Sequence, residues 1–277
     1  MMSAKPKGRL IIIGGHEDKQ GDQTILKAVA RRARGESGRL AVITVASQEP
    51  EELAHEYRTI FKQLGVGHVD AVDIRTRDEA ADEKNVQKIA GAQVVFFTGG
   101  DQLRITSQIG DSPLFRCMQQ IYREGATIAG TSAGAAAMPE TMLIAGASDA
   151  SNRISALEMA PGLAFMHGVV IDSHFAERGR MGRLLGAVAQ NPRNLGLGID
   201  ENTAIVVTDE QHFKVLGSGA VYVVDGMDIS YSSLSEKQPE GIVSIYDIKL
   251  HVLGHGDKYD LQARRPLDRP DGGDDGG

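Results

Sequence analysis

Short apolar runs, each closing on glycine or small polar residues and spaced a helix apart, constrain this chain more than anything else in it. Leu10 to Ile13 ends on Gly14-Gly15, and Ile25, Leu26, Val29, Ala30 and Ala33 then recur at helical spacing. Leu40 to Val45 forms a second run, followed by Leu53, Tyr57, Ile60, Phe61 and Leu64 on one helix face. Val69 to Ile74 reads as a third strand, and Gln93 to Thr98 as a fourth that closes on Gly99-Gly100. Leu114, Cys117, Met118 and Ile121 lie along one further helix stripe, which makes Cys117 a core residue rather than a nucleophile. Strands this uniformly apolar, separated by helices, belong in a parallel sheet covered on both faces. The expected fold is α/β, doubly wound and mostly parallel.

Within that rhythm, Thr127 to Met138 has a distinct form: a short strand, the pentapeptide Gly130-Thr131-Ser132-Ala133-Gly134, then small helix formers. This is the pattern of a nucleophile elbow, which lifts a serine hydroxyl above the sheet on a tight strand-to-helix turn. A helix starting at Ala133 would aim its first N–H groups, and the positive end of its dipole, at an oxyanion beside Ser132. The bland alternative is an ordinary glycine-rich turn.

Beyond the elbow, Val169 to Ile171 reads as a strand, Met181, Leu184, Leu185 and Val188 as a helix face, and Leu195 to Ile199 and Thr203 to Val207 as two strands around a turn. From His212 onward strand-like runs follow one another without helix-length gaps, so antiparallel strands are expected at one sheet edge. One α/β domain is expected over residues 8–262, and a disordered acidic tail rich in Gly and Pro over 263–277. A net charge of −7 gives no reason to expect nucleic acid as a partner. One cysteine makes no internal disulfide, and no run reaches the length of a membrane span, so the expectation is a soluble cytoplasmic protein. Gly14-Gly15-His16 follows a strand, yet neither a dinucleotide fingerprint nor a P-loop lysine comes after it.

Ligand sites in such folds lie beyond the carboxyl ends of the strands. Reactive residues converge there: Ser132, the turn Gly99-Gly100-Asp101-Gln102, the run Asp172-Ser173-His174-Phe175, and the tip Asp200-Glu201-Asn202. A serine nucleophile needs a base, and the base needs an acid to fix its tautomer. Among the 8 histidines, His174 follows a buried-type strand and is the expected base, with His16 a weaker candidate. Asp200 and Glu201 both stand where the acid is required. The N–H of Ala133 and one from Gly99 or Gly100 would form the oxyanion hole. Arg178, Arg180 and Arg183 put three cations at a helix start, against the dipole, and a helix beginning by Arg178 would turn that residue toward the sheet. This suggests a bidentate grip on a carboxylate; a solvated basic face is the plain alternative. Asp172 shares strand parity with His174 and suits a cationic substrate group, or else serves as a satisfied strand-end acid. A non-catalytic binding protein on a flavodoxin-like scaffold stays open, since fold alone does not give function. No Cys/His cluster with ligand spacing is visible, so neither metal nor cofactor is expected.

Together, Phe97 to Gln102, Gly130 to Gly134, Asp172 to Phe175 with the three arginines, Asp200 to Ala204, and the opening Ile11 to Asp18 resemble the cyanophycinases, serine exopeptidases related to aspartyl dipeptidase (peptidase E). The resemblance runs over roughly residues 8 to 262 and implies a fold like that of class I glutamine amidotransferases, with serine in place of the cysteine nucleophile. It implies hydrolysis of cyanophycin, a poly-aspartate whose β-carboxyls each carry an arginine, to β-aspartyl-arginine dipeptides, and it suggests a homodimer. Carried onto this chain it makes Ser132 the nucleophile, His174 the base and Glu201 the acid. Gln102, Asp172, Arg178, Arg180 and Arg183 match the substrate pocket, and Ser173 stands in that pocket where the family usually has glutamine. A dipeptidase of the peptidase E type acting on short aspartyl peptides is the neighbouring alternative.

Overall fold

The computed structural model describes residues 8–145, 157–234 and 243–268. Strands and helices alternate through the first half: β1 (Arg9–Ile13), α1 (Thr24–Ala30), β2 (Gly35–Ile43), α2 (Pro50–Gln63), β3 (Val66–Val72), α3 (Glu83–Ala90), β4 (Val94–Phe97), α4 (Gln102–Ile109), α5 (Pro113–Glu124) and β5 (Thr127–Thr131). Side chains cap the helices that bracket the strand ends. Asp101 accepts from the N–H of Leu103 at the start of α4, and Ser112 accepts from Phe115 ahead of Pro113 in α5. A single-turn α6 (Ala133–Ala136) follows the elbow and leads into strands β6 (Thr141–Ala145) and β7 (Glu158–Pro161), which pair antiparallel. The chain continues as β8 (Val169–Ser173), α7 (Met181–Gln190), β9 (Leu195–Ile199), β10 (Thr203–Val207), β11 (His212–Gly217) and β12 (Val221–Asp225). It ends in β13 (Tyr231–Ser232), β14 (Ile245–Tyr246), β15 (Lys249–Leu253), β16 (Lys258–Asp260) and β17 (Arg265–Leu267).

Among the described residues, the main sheet has nine strands in the order β17-β16-β11-β10-β1-β5-β4-β2-β3. The five from β1 to β3 are parallel, and β10, β11, β16 and β17 extend the sheet antiparallel from the β1 side. This is the mixed α/β architecture that the sequence predicts. Period-2 alternation then decides which side chain meets which layer. Ile11, Ile13, Val42 and Phe96 pack against Leu26 of α1 and Phe61 of α2, while Leu10, Ile12, Ile43 and Phe97 face the opposite core.

One expectation changes. The sequence reads as one doubly wound sheet with the strand before His174 in its middle; instead β8 and β9 lie in a second sheet of order β15-β12-β9-β8. The turn after Ile199 reverses the chain, with Asn202 at φ 47°, and lays β10 antiparallel along β1, which fills that edge. β9 pairs with β12 instead. The inner face of this sheet (Ile171, Leu197, Val223) shares a core with the main sheet, and its outer face (Val170, Val224) is covered by Leu184 and Val188 of α7. Arg265–Leu267, assigned to the tail, is an edge strand on β16 because backbone pairing needs no apolar side chain; residues 269–277 lie outside the described part. No helix among the described residues is long and apolar enough to cross a membrane.

Candidate active site

Ser132 sits at the tip of β5 with φ 54° and ψ −110°, a backbone conformation that L side chains rarely adopt and that only its surroundings can impose. Its N–H donates to the carbonyl of Ile13 on the neighbouring strand (3.0 Å). Close packing after the turn requires glycine: a Cβ on Gly134 would stand 2.7 Å from the Cβ and carbonyl oxygen of Phe97. Because α6 is one turn long, its dipole is small, and the first N–H groups are what it offers an oxyanion. The N–H groups of Ala133 and Gly99 have no hydrogen-bond partner among the described residues, and a Cβ on Gly99 would lie 3.4 Å from Ser132 Cβ, which sets Gly99 beside the serine. Gly100, by contrast, backs onto the carbonyl of Ala46.

His174 follows β8, at φ 50°, and is 3 % exposed. Its Nε2 lies 2.8 Å from Ser132 Oγ and its Nδ1 lies 2.7 Å from Oε1 of Glu201. Burial pushes the imidazole pKa down; the hydrogen bond to Glu201 works the other way, and the Arg178 and His16 charges lower it further. Burial raises the Glu201 carboxyl, yet the bonds from His174 and His16 outweigh this and hold it below its ordinary value. Of the two acids at the tip, Glu201 is therefore the one that faces the imidazole. Asp200 is engaged with backbone, accepting from the N–H groups of Ala176 (2.9 Å) and Ala220 (3.0 Å).

The loop after β1 joins these pieces. The carbonyl of Gly14 accepts from the N–H of His174 (2.8 Å), and that of Gly15 accepts from the N–H of Asn202 (2.8 Å). The imidazole rests on Gly15, which has φ 106° and where a Cβ would come 2.3 Å from His174 Cε1. His16 places Nδ1 2.9 Å from the second oxygen of Glu201, so it meets the acid and not the serine. Glu17 is buried, its carboxylate accepting from the hydroxyls of Thr131 (2.6 Å) and Tyr57 (2.5 Å) and so bracing the residue before Ser132. Sequence reasoning gives no role to Glu17 and ranks His16 only as a weaker base. Its available signal was position: both follow a buried strand at the active edge. His16, His174 and Glu201 also bring one metal-ligand atom each within 4.8 Å of one another, a cluster that linear spacing hides.

The expected substrate residues divide. Helix α7 starts at Met181, so Arg178 lies ahead of it in an exposed turn and not on the sheet-facing stripe. Arg180 and Arg183 turn inward onto Asp172: Arg180 Nη1 donates to Oδ1 (3.0 Å), Arg183 Nε donates to Oδ2 (2.8 Å), and Arg183 Nη2 donates to Oδ1. Cations and anion, expected to await substrate separately, pair with each other instead, two guanidinium groups on one carboxylate. Ser173 is buried, and its carbonyl accepts from Arg180 (2.6 Å). Gln102 donates its amide to the carbonyls of Leu143 (2.8 Å) and Ile144 (3.2 Å), which ties α4 to β6. Arg178 remains, with no ion pair among the described residues and its charge felt by His174. A groove of about 650 Å³ opens elsewhere, lined by Arg9, Ile11, Arg32, Lys214 and Lys258 among others, and shares no residue with this site.

Residues 10–215 match the model of Peptidase family S51. The chain is 36% identical over 262 residues to a cyanophycinase from Geminocystis herdmanii, covering 94% of this chain and 96% of that one. It is likewise 36% identical over 262 residues to a cyanophycinase from a Nostoc species, covering 94% and 88%. Among solved structures, a peptidase from an acI-B1 Actinobacterium superposes with a TM-score of 0.69 at 18% identity, covering 92% of this chain and 97% of that one, a likeness of fold.

Proposed function

The chain belongs to peptidase family S51 and is a serine peptidase, and from that premise we propose that it hydrolyses cyanophycin to β-aspartyl-arginine dipeptides as an exopeptidase. The observation that carries this reading is the unbroken line from Ser132 Oγ to His174 Nε2 (2.8 Å) and from His174 Nδ1 to Glu201 Oε1 (2.7 Å). Ser132 attacks the carbonyl carbon of the scissile bond while Nε2 of His174 takes its proton. Glu201 accepts from Nδ1–H, which keeps the lone pair on Nε2 and stabilises the imidazolium as it forms. The N–H groups of Gly99 and Ala133 receive the oxyanion, each worth about 10²–10³ in kcat at such a site. His174 then protonates the leaving nitrogen, and water resolves the Ser132 ester by the same proton path in reverse.

Every repeat of the polymer presents a free carboxylate and a guanidinium. Arg178, exposed beside His174, suits the carboxylate, and the neighbouring carboxylate of Glu177 suits the cation. Asp172, Arg180 and Arg183 support this pocket from beneath by fixing the segment between β8 and α7. Incubation with purified cyanophycin and mass analysis of the products tests the reading: β-aspartyl-arginine is expected, and Ser132→Ala should release none while remaining folded. Turnover of short Asp-X dipeptides in preference to polymer would move the assignment to a dipeptidase.

A further inference from the structure

The hydrogen-bonded line does not stop at Glu201. Its carboxylate faces two imidazoles, with Oε1 2.7 Å from His174 Nδ1 and Oε2 2.9 Å from His16 Nδ1. Two imidazoles and one carboxylate are a donor set that Zn²⁺ takes readily, with water in the fourth tetrahedral position. With ligand bonds of about 2.0–2.2 Å, tetrahedral donors stand roughly 3.3 Å apart. The two spacings to Glu201 would therefore widen by about half an ångström. The imidazole nitrogens, within 4.8 Å of each other, would draw together around the ion, a movement the exposed His16 ring can supply. The side chain of His16 is 74 % exposed and that of Glu201 26 %, which leaves a path for a hydrated ion, whereas His174 is held rigidly by its burial.

We propose that His16, His174 and Glu201 form a Zn²⁺ site whose occupation switches the peptidase off reversibly. The proposal rests on His174 being the general base, and it specifies how the ion acts on that base. In the active state the neutral imidazole carries its proton on Nδ1, and the Nε2 lone pair accepts from Ser132. A zinc ion bound at Nδ1 occupies that nitrogen's lone pair, and the ring proton moves to Nε2. No proton is gained or lost, yet Nε2 is now a donor and cannot take the serine proton. Inhibition follows from the tautomer, even where substrate still fits. His16 takes no proton in the hydrolysis, so zinc binding and the zinc inhibition curve of His16→Ala are each read relative to that variant's own zinc-free activity.

The test uses the full-length, tag-free protein. Calorimetric titration with Zn²⁺ should give one site per chain, and Co²⁺ at the same site should give the intense visible absorption of four-coordinate cobalt. Ser132→Ala should bind both ions as the parent does, so the binding readout stands whether or not the chain turns over cyanophycin. His16→Ala should weaken Zn²⁺ binding by at least about tenfold, as lost ligand support does elsewhere, and should shift the zinc inhibition curve by the same factor. Glu201→Gln, read by binding alone, should weaken it too. A chelator should restore turnover fully. Absence of binding, equal binding by parent and His16→Ala, or inhibition that His16→Ala leaves unshifted would each overturn the proposal.

Discussion

Two charged clusters grow from the end of a single strand and differ in one respect. Asp172 and His174 are two residues apart on β8 and its exit. Asp172 is 1 % exposed, and its two oxygens receive three donor contacts from Arg180 and Arg183. His174 is nearly as buried, yet its partners are arranged in a row that ends on a serine hydroxyl open to one side. The first cluster is closed: one carboxylate is shared by two guanidinium groups, and bringing substrate in would first require breaking an ion pair. The second runs out at both ends into groups that solvent reaches, the part-buried Ser132 hydroxyl and the exposed His16 ring. Fully paired charges hold a segment in place, whereas chemistry needs a group whose partner set is incomplete until substrate arrives.

That contrast can be broken from the open side first. Ser132→Ala should lower kcat/KM on cyanophycin by at least about 10⁴-fold, with a melting temperature within a few degrees of the parent. Asp172→Ala attacks the closed side and should reverse the pattern. The buried guanidinium of Arg183 and the part-buried one of Arg180 lose their anion, so about 3–5 kcal/mol of stability should disappear in urea unfolding, while the activity of the molecules that remain folded falls far less than in Ser132→Ala. Gly15→Ala probes the floor under the open row. A methyl group directed 2.3 Å from His174 Cε1 must displace the imidazole, and a displacement of about 1 Å should cost on the order of 10² in kcat at little change in KM. The smallest effect is in pH. His174 must be neutral to accept a proton, and burial lowers its pKa, so activity should fall toward acid with a midpoint below 6.5. A midpoint above 6.5 would mean that Glu201 outweighs burial at this ring.

Much of this was legible in the chain because local rules govern it. Leu10 to Ile13, Leu40 to Ile43 and Val94 to Phe97 are strands in a covered parallel sheet, and apolar residues on both faces announce that directly. The glycines around Ser132 carry the elbow in the same way. Where the reading fell short, the missing information was long-range. Val169 to Ile171 and Leu195 to Ile199 are as apolar as any main-sheet strand, since each is buried on both faces of its own sheet, and nothing local says which sheet that is. The arginines looked available because their counter-ion, Asp172, was itself counted as available. His16 reaches Glu201 across 185 residues, and only tertiary closure brings that pair together. The short polar pair β16 and β17 joins the sheet through backbone bonds that leave no hydrophobic trace.

The division into two sheets bears on how such a molecule fails. Ser132 hangs from the main sheet, His174 from the smaller one, and Glu201 from the reversal that links them. Parting the two layers by an ångström or so would therefore silence turnover while every strand stayed paired and circular dichroism stayed flat. Catalytic rate is thus the earliest gauge of loosening in this protein, sensitive to a slackening that spectroscopy of its backbone would overlook.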